Sequence, residues 1–298
     1  MPSRSASMSY DVRASAFAKI NLSLRVLGRR PDGYHELRTI FQSLALHDTI
    51  TIRRERGPFR LECGDPDCPH DDTNLIWRAA TIAWKAAGRL GPPRDIVIAL
   101  VKRIPIAAGL GGGSSDAAAT LRAVAGMWRI DPARLPRLAA RLGADVPYFL
   151  QGGTVLGLER GDLLFSLAEY PSRWVTLVIP TFTVSTKDAY QWFDQDRKRG
   201  RAPFSGVMSA KTGYGAFFGN DLQRSVAKRH PEISRMIGSL HRAGASVAAM
   251  SGSGSAVFGL FARRSAAMRA ADELATGSRR TLVTRTIDRA EYHALAAK

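Results

Sequence analysis

The chain is short of cysteine, of acid and of long apolar runs, and each shortage removes a class of protein. Two cysteines in 298 residues are too few for a small scaffold stapled by disulfides. No apolar run reaches the eighteen or more residues that a membrane-spanning helix needs. The opening residues, MPSRSASMSYDVR, lack the apolar stretch of a secretory signal, so a cytoplasmic location is expected, with Met1 or Met8 as the start. Acidic residues number 26 against 43 Lys and Arg, a formal charge of +17, which raises a nucleic-acid partner as a possibility. The basic residues are scattered, however. Their one dense cluster, Arg197, Lys198, Arg199 and Arg201, reads as a solvated loop. No alternation of aromatic and basic residues of the RNA-recognition type occurs, so neither a nucleic acid nor a membrane is expected as partner.

The two cysteines share a short segment, CGDPDCPH, with Cys63, Cys68 and His70. Three such ligands fall short of the usual four of a structural zinc site. Pro66 and Pro69 make a turn-rich excursion the competing reading, and no metal ligand is assigned.

What the chain does have is glycine in one place. Residues 105–121 read PIAAGLGGGSSDAAATL. Gly109, Gly111, Gly112 and Gly113 permit a bend that wraps closely around a ligand. The residues that follow, Ser115 to Met127, favour helix, with Ser114 or Ser115 as the cap. A β-branched run, Ile96 to Lys102, precedes them, so the unit reads strand, loop, helix. Unpaired N–H groups and the partial positive charge at the start of such a helix form an anion site. The spacing differs from a Walker loop, which needs Gly-Lys-Ser/Thr, and from the dinucleotide fingerprint, which needs Gly-x-Gly-x-x-Gly. The expected phosphate-binding segment is Pro105, Ile106, Ala107, Ala108, Gly109, Leu110, Gly111, Gly112, Gly113, Ser114 and Ser115. Mg2+ is expected to accompany the bound phosphate, with Ser115 as a candidate ligand.

Along the rest of the chain, Ala14 to Leu27 alternates. Ile20, Leu22, Leu24 and Val26 fall on one face, and Lys19, Asn21, Ser23 and Arg25 on the other. Strands are expected at 39–46 and 49–54, and a helix from Asn74 to Lys85 capped by Asp72 or Thr73. After residue 165 the order reads β-α-α-β-β-α-β, which suits a ferredoxin-like unit.

Together these segments resemble the GHMP kinases. The glycine loop matches the central motif of that superfamily. AKINLSL (18–24) with DGYH (32–35), LGADVPYFL (142–150) and SGSGSAVF (251–258) match in order across most of the chain. The resemblance implies an α+β fold of two domains with the active-site cleft between them. Residues 1–165 form a ribosomal-protein-like β/α domain, and 166–298 a ferredoxin-like domain. The DGYH element is that of the branch whose acceptor is a diphosphocytidyl methylerythritol. Phosphorylation of that acceptor's 2-hydroxyl by ATP is therefore expected. Homoserine- or mevalonate-type chemistry, or an RNA-binding module without catalysis, are the alternatives.

The resemblance assigns roles by position. Asp145 becomes the catalytic base and Lys19 its partner, although an Asp ahead of a Pro-initiated helix is also a common cap. Asn21 shares the strand face of Lys19. Tyr34 stacks on the cytosine and His35 reads its edge, while a surface-loop histidine remains the plain alternative. Tyr190 is the second stacking candidate, and helix packing explains it equally well. Asn74 and Lys102 are expected beside the adenine. Gly252, Ser253 and Gly254 form either a second close-approach loop or an ordinary hairpin.

Overall fold

The computed structural model describes residues 12–198 and 218–296. Its first half is built on two very long antiparallel strands, β1 (Val12–Arg29) and β2 (His35–Arg53). Where two strands were expected at 39–46 and 49–54, β2 runs unbroken, because its partner β1 supplies ladder bonds on both sides of His47 and Asp48. The β1–β2 register shifts between Phe17 and Lys19 and again between Asn21 and Ser23. Such irregularities re-aim side chains, and here they bracket the two polar residues of interest.

The order continues with β3 (Arg60–Cys63), α1 (Leu75–Ala86), β4 (Val97–Val101), α2 (Gly112–Trp128), α3 (Leu135–Leu142), α4 (Tyr148–Gln151), β5 (Thr154–Glu159) and β6 (Leu163–Ser166). The main path of the first sheet is β3-β4-β2-β1. β5 pairs with β2 and β6 with β5. Small residues let α1 and α2 approach closely: Ala79, Ala80 and Ala83 of one share a core with Ala117, Ala118 and Ala125 of the other. Helix α1 is capped by Asn74, whose side chain accepts the Ile76 N–H, rather than by Asp72 or Thr73. Helix α2 begins inside the glycine run. Its cap is Gly111, with no side-chain cap bond, so neither Ser114 nor Ser115 caps it.

The second sheet holds β7 (Trp174–Pro180), β9 (Val247–Met250), β10 (Val257–Phe261) and β11 (Arg279–Arg285) in the order β11-β7-β10-β9, every pair antiparallel. Helices α5 (Thr186–Lys198), α6 (Gln223–Arg229), α7 (Glu232–Arg242) and α8 (Arg264–Leu274) complete it. With its first strand inside and its last at one edge, this is the ferredoxin-like arrangement. The whole is an α+β fold. Arg197 and Lys198 end α5 rather than forming a loop, and Arg199 and Arg201 lie outside the described residues.

Two returns tie the halves together. The short β8 (Gly219–Asn220) pairs in parallel with β1. Helix α9 (Arg289–Ala296) brings Tyr292 under α4, where its hydroxyl donates to Phe149 O at 2.6 Å. The polar residues of β1 are buried: Lys19 is 3% and Asn21 2% exposed, with Gly111 and Gly252 lying against Lys19. Among the described residues, no helix is long and apolar enough to cross a membrane.

Candidate active site

The glycine loop takes its shape from what lies behind it. Gly109 has φ +76°, and a Cβ there would stand 2.3 Å from Ser251 O. Gly111 has φ +74°, and a Cβ there would stand 2.6 Å from the Phe149 ring and 3.0 Å from Lys19 Cγ. Both positions therefore need glycine for conformation and for space. At Gly113 the nearest atom would be 4.0 Å away, an ordinary contact. The loop is stitched to its neighbours: Lys19 N–H donates to Leu110 O, Ser251 Oγ–H to Gly109 O and Ala256 N–H to Ala108 O. The 252–254 loop is thus laid directly against the 109–113 loop. Asn220 secures it by donating to Met250 O at 2.9 Å and to Gly252 O at 2.7 Å.

Beside the paired loops stands Lys19. Its Nζ donates to Asn21 Oδ1 at 2.7 Å, and Asn21 donates to Thr39 Oγ1 at 2.7 Å. Thr39 in turn donates to Ser23 O. This chain fixes the ammonium, leaving it 3.5 Å from Asp145 Oδ2. The Asp145 side chain is 35% exposed. It precedes α4 but makes no side-chain cap bond there, since the cap position falls on Pro147. A cleft of about 1120 Å3 opens at this pair. It is lined by Lys19, Asn21, Gly109, Gly111, Ser114 and Asp145, and further along by Tyr34, His35, Tyr190, Gly252, Ser253 and Gly254. A partly exposed carboxylate, a buried ammonium and an N–H-lined loop facing one cavity can orient a hydroxyl next to a phosphate chain.

At the far end, Tyr34 is 56% exposed, with the Arg160 guanidinium 5.2 Å from its ring centroid. The His35 ring stacks on Tyr190 at 4.6 Å, and its Nε2 lies 2.9 Å from Asp194 Oδ1.

Two of the anticipated residues are engaged elsewhere. Lys102 is buried beneath the loop, paired with Asp48 and with Asp116 at 2.8 Å. Burial works against its charge, but the two carboxylates outweigh that and raise its pKa. Asn74 is occupied at both ends, accepting from Ile76 N–H and donating to Pro69 O. Neither lines the cleft. In the cysteine segment, both thiols are free. His70 Nδ1 is bonded to Leu61 O. Burial, with Cys63 next, pushes the Cys68 thiol up to about 12, the opposite of what a thiolate ligand needs. Thr39, Asn220 and Asp194 escaped the sequence reading. None sits in a motif: pairing across the sheet brings Thr39 to the cleft, packing between the halves brings Asp194, and Asn220 holds the 252–254 loop behind it.

Comparison with known proteins agrees with this geometry. Residues 74–153 match the GHMP kinases N terminal domain, and residues 212–278 the GHMP kinases C terminal domain. The 4-diphosphocytidyl-2-C-methyl-D-erythritol kinase of Moorella thermoacetica is 42% identical over 284 residues, covering 91% of this chain and 98% of that protein. A crystal structure of 4-(cytidine 5'-diphospho)-2C-methyl-D-erythritol kinase superposes with a TM-score of 0.76 at 34% identity, covering 92% of this chain and 99% of the other. The homoserine kinase of Cytophaga hutchinsonii shares the fold, with a TM-score of 0.67 at 18% identity, 96% of this chain and 98% of that one being covered.

Proposed function

The chain belongs to the 4-diphosphocytidyl-2-C-methyl-D-erythritol kinases of the GHMP kinase superfamily, and from that premise we propose that it transfers the γ-phosphoryl of ATP to the 2-hydroxyl of 4-diphosphocytidyl-2-C-methyl-D-erythritol, a step of non-mevalonate isoprenoid precursor synthesis. One observation carries the reading: Lys19 and Asp145 meet at 3.5 Å beside the loop at Gly109 and Gly111. Asp145 accepts the proton of the acceptor hydroxyl as it attacks, and Lys19, 3.5 Å away, holds the carboxylate in position. The N–H groups of the loop and the first turn of α2 take the β- and γ-phosphates, where charge collects in the transition state. Tyr34 and His35 hold the cytosine end. Tyr190, already against His35, supplies the other wall.

Mg2+ fits this arrangement. Ser115 is 1% exposed and its Oγ has no hydrogen-bond partner, in the first turn of α2 where the triphosphate enters. Among the described residues no group of three His, Cys, Asp or Glu could hold a metal ion alone. The ion would therefore arrive with the phosphates, as Mg2+ commonly does, and take Ser115 Oγ as a protein ligand. When bound it neutralises charge on the phosphate oxygens.

The test is ADP release, coupled to NADH oxidation, with the diphosphocytidyl acceptor offered against mevalonate and homoserine. Turnover confined to the cytidyl acceptor is expected. Equal turnover of mevalonate or homoserine would overturn the assignment.

A further inference from the structure

We infer that Asp194, through His35, makes the cleft select an amino-bearing pyrimidine over its keto counterpart; the inference rests on the proposed cytidyl acceptor. Tyr190 and Asp194 stand four residues apart on α5, hence on one face of the helix. Both line the cleft, as does His35. Together they hold His35 in two ways. Tyr190 fixes the ring plane, with centroids 4.6 Å apart and planes 24° off parallel. Asp194 Oδ1 lies 2.9 Å from Nε2 and fixes the rotation within that plane. The His35 side chain is only 11% exposed. Helix α5 is itself a firm base. Ala189 and Phe193 are buried in the second core, and Asp196 is tied to Lys228 and Arg229 of α6.

The consequence is chemical. An ionised carboxylate can only accept, so Nε2 must carry a proton. In the neutral imidazole the other nitrogen, Nδ1, is then a bare acceptor. Cytosine offers an amino donor at C4, whereas uracil offers a carbonyl acceptor at the same position. An acceptor fixed on the protein pairs with the first and opposes the second. A site built around such a bond rejects the mismatched analogue far more strongly than apolar fit alone allows. Asp194 is thus a positioning residue: it acts through His35, by setting which of its ring nitrogens is protonated. A carboxamide in its place can donate to Nε2 and stabilise the reverse tautomer, the known consequence of an Asp-to-Asn change behind a functional histidine.

The experiment measures CDP and UDP binding by titration calorimetry, with the ATP site saturated by a nonhydrolysable ATP analogue. The wild type is expected to favour CDP by about tenfold or more. Asp194→Asn is expected to bring the two affinities within about twofold of each other, chiefly by weakening CDP. Asp194→Glu, which keeps the accepting carboxylate, should restore most of the preference. Steady-state kinetics of Asp194→Asn should place the loss in KM for the cytidyl acceptor rather than in kcat. The inference fails if the wild type shows no preference, if Asp194→Asn keeps it, or if Asp194→Glu loses as much as Asp194→Asn. Turnover of the cytidyl acceptor by the wild type tests the proposed function separately, so the two can fail independently.

Discussion

Two buried lysines flank the glycine loop, and their surroundings differ. Lys102 lies under it between two carboxylates, Asp48 and Asp116. Asp48 also accepts the backbone N–H groups of Arg103 and Ile104. The side chains of all three members are 6% exposed or less. Lys19 lies beside the loop with one carboxylate, Asp145, at 3.5 Å, and its hydrogen bond goes to Asn21 instead. The first arrangement is sealed. Lys102 is held by both carboxylates, while Asp116 Oδ1 is left without a hydrogen-bond partner; buried this deeply, the cluster shapes the loop and presents little surface to a ligand. The second is incomplete on one side, and that side is the cleft. A buried ion cluster gives up hydration and must recover it from its own partners. A pair left partly open keeps a face for substrate. The chemistry of a lysine therefore follows from how many of its partners are already spent.

The sharpest way to break the comparison is to remove the open carboxylate. Asp145→Asn is expected to lower kcat by about 10²–10⁴-fold, with the thermal midpoint within about 2 °C of wild type, as for a substitution outside the core. A large loss of stability with kcat intact would make Asp145 structural, like Asp48. The converse experiment is Lys102→Met, which strands two buried carboxylates. A loss of about 3–5 kcal/mol in urea unfolding is expected, and adding Asp48→Asn and Asp116→Asn should recover part of it. If Lys102→Met leaves stability unchanged and only raises KM for ATP, Lys102 belongs with the ligand after all.

A third cluster inverts the first and gives the smallest effect. Asp196 sits between two cations, Lys228 and Arg229. Burial alone would raise its pKa, but hydrogen bonds from Ser225, Arg229 and Lys228 outweigh it and hold the carboxyl at about 2, below the ordinary 3.8. The folded-state value is depressed, so the stabilisation is present above about pH 4 and is lost as pH falls through 2. Asp196→Asn should be less stable than wild type at neutral pH, and the difference should shrink as the pH falls across that window in acid-unfolding curves. A constant difference would mean that packing, not charge, is what Asp196 contributes.

The parts legible in the sequence were those whose cause is local. Four glycines in five positions announce a bend, and the alanines behind them announce a helix. The alternation from Ala14 to Leu27 announces a strand. The strand and helix order after residue 165 is enough for the ferredoxin-like sheet. The parts that escaped have causes elsewhere in the chain. Helix α2 starts at Gly112 because Gly111 adopts positive φ against Phe149 and Lys19, which no cap pattern reveals. Asn74 looked free for a ligand, but the carbonyl of Pro69 and the N–H of Ile76 claim it. Helix α9 went unseen because its eight residues bury only Tyr292, too little to leave an apolar stripe. The alternation of β1 shows which residues share a face, but not that Gly111 and Gly252 close over Lys19.

By itself the sequence determined that a side-chain-free bend would open onto a helix, and that the second half would form a split β-α-β sheet. Backbone sterics and hydrophobic periodicity act over a few residues at a time. Tertiary structure alone decided which polar side chains stayed available. Lys102 found Asp48 and Asp116 at separations of 54 and 14 residues, and His35 found Asp194 at 159. Whether a charged group is spent or free depends on who reaches it after the chain has closed, and that is a property of contact rather than of order.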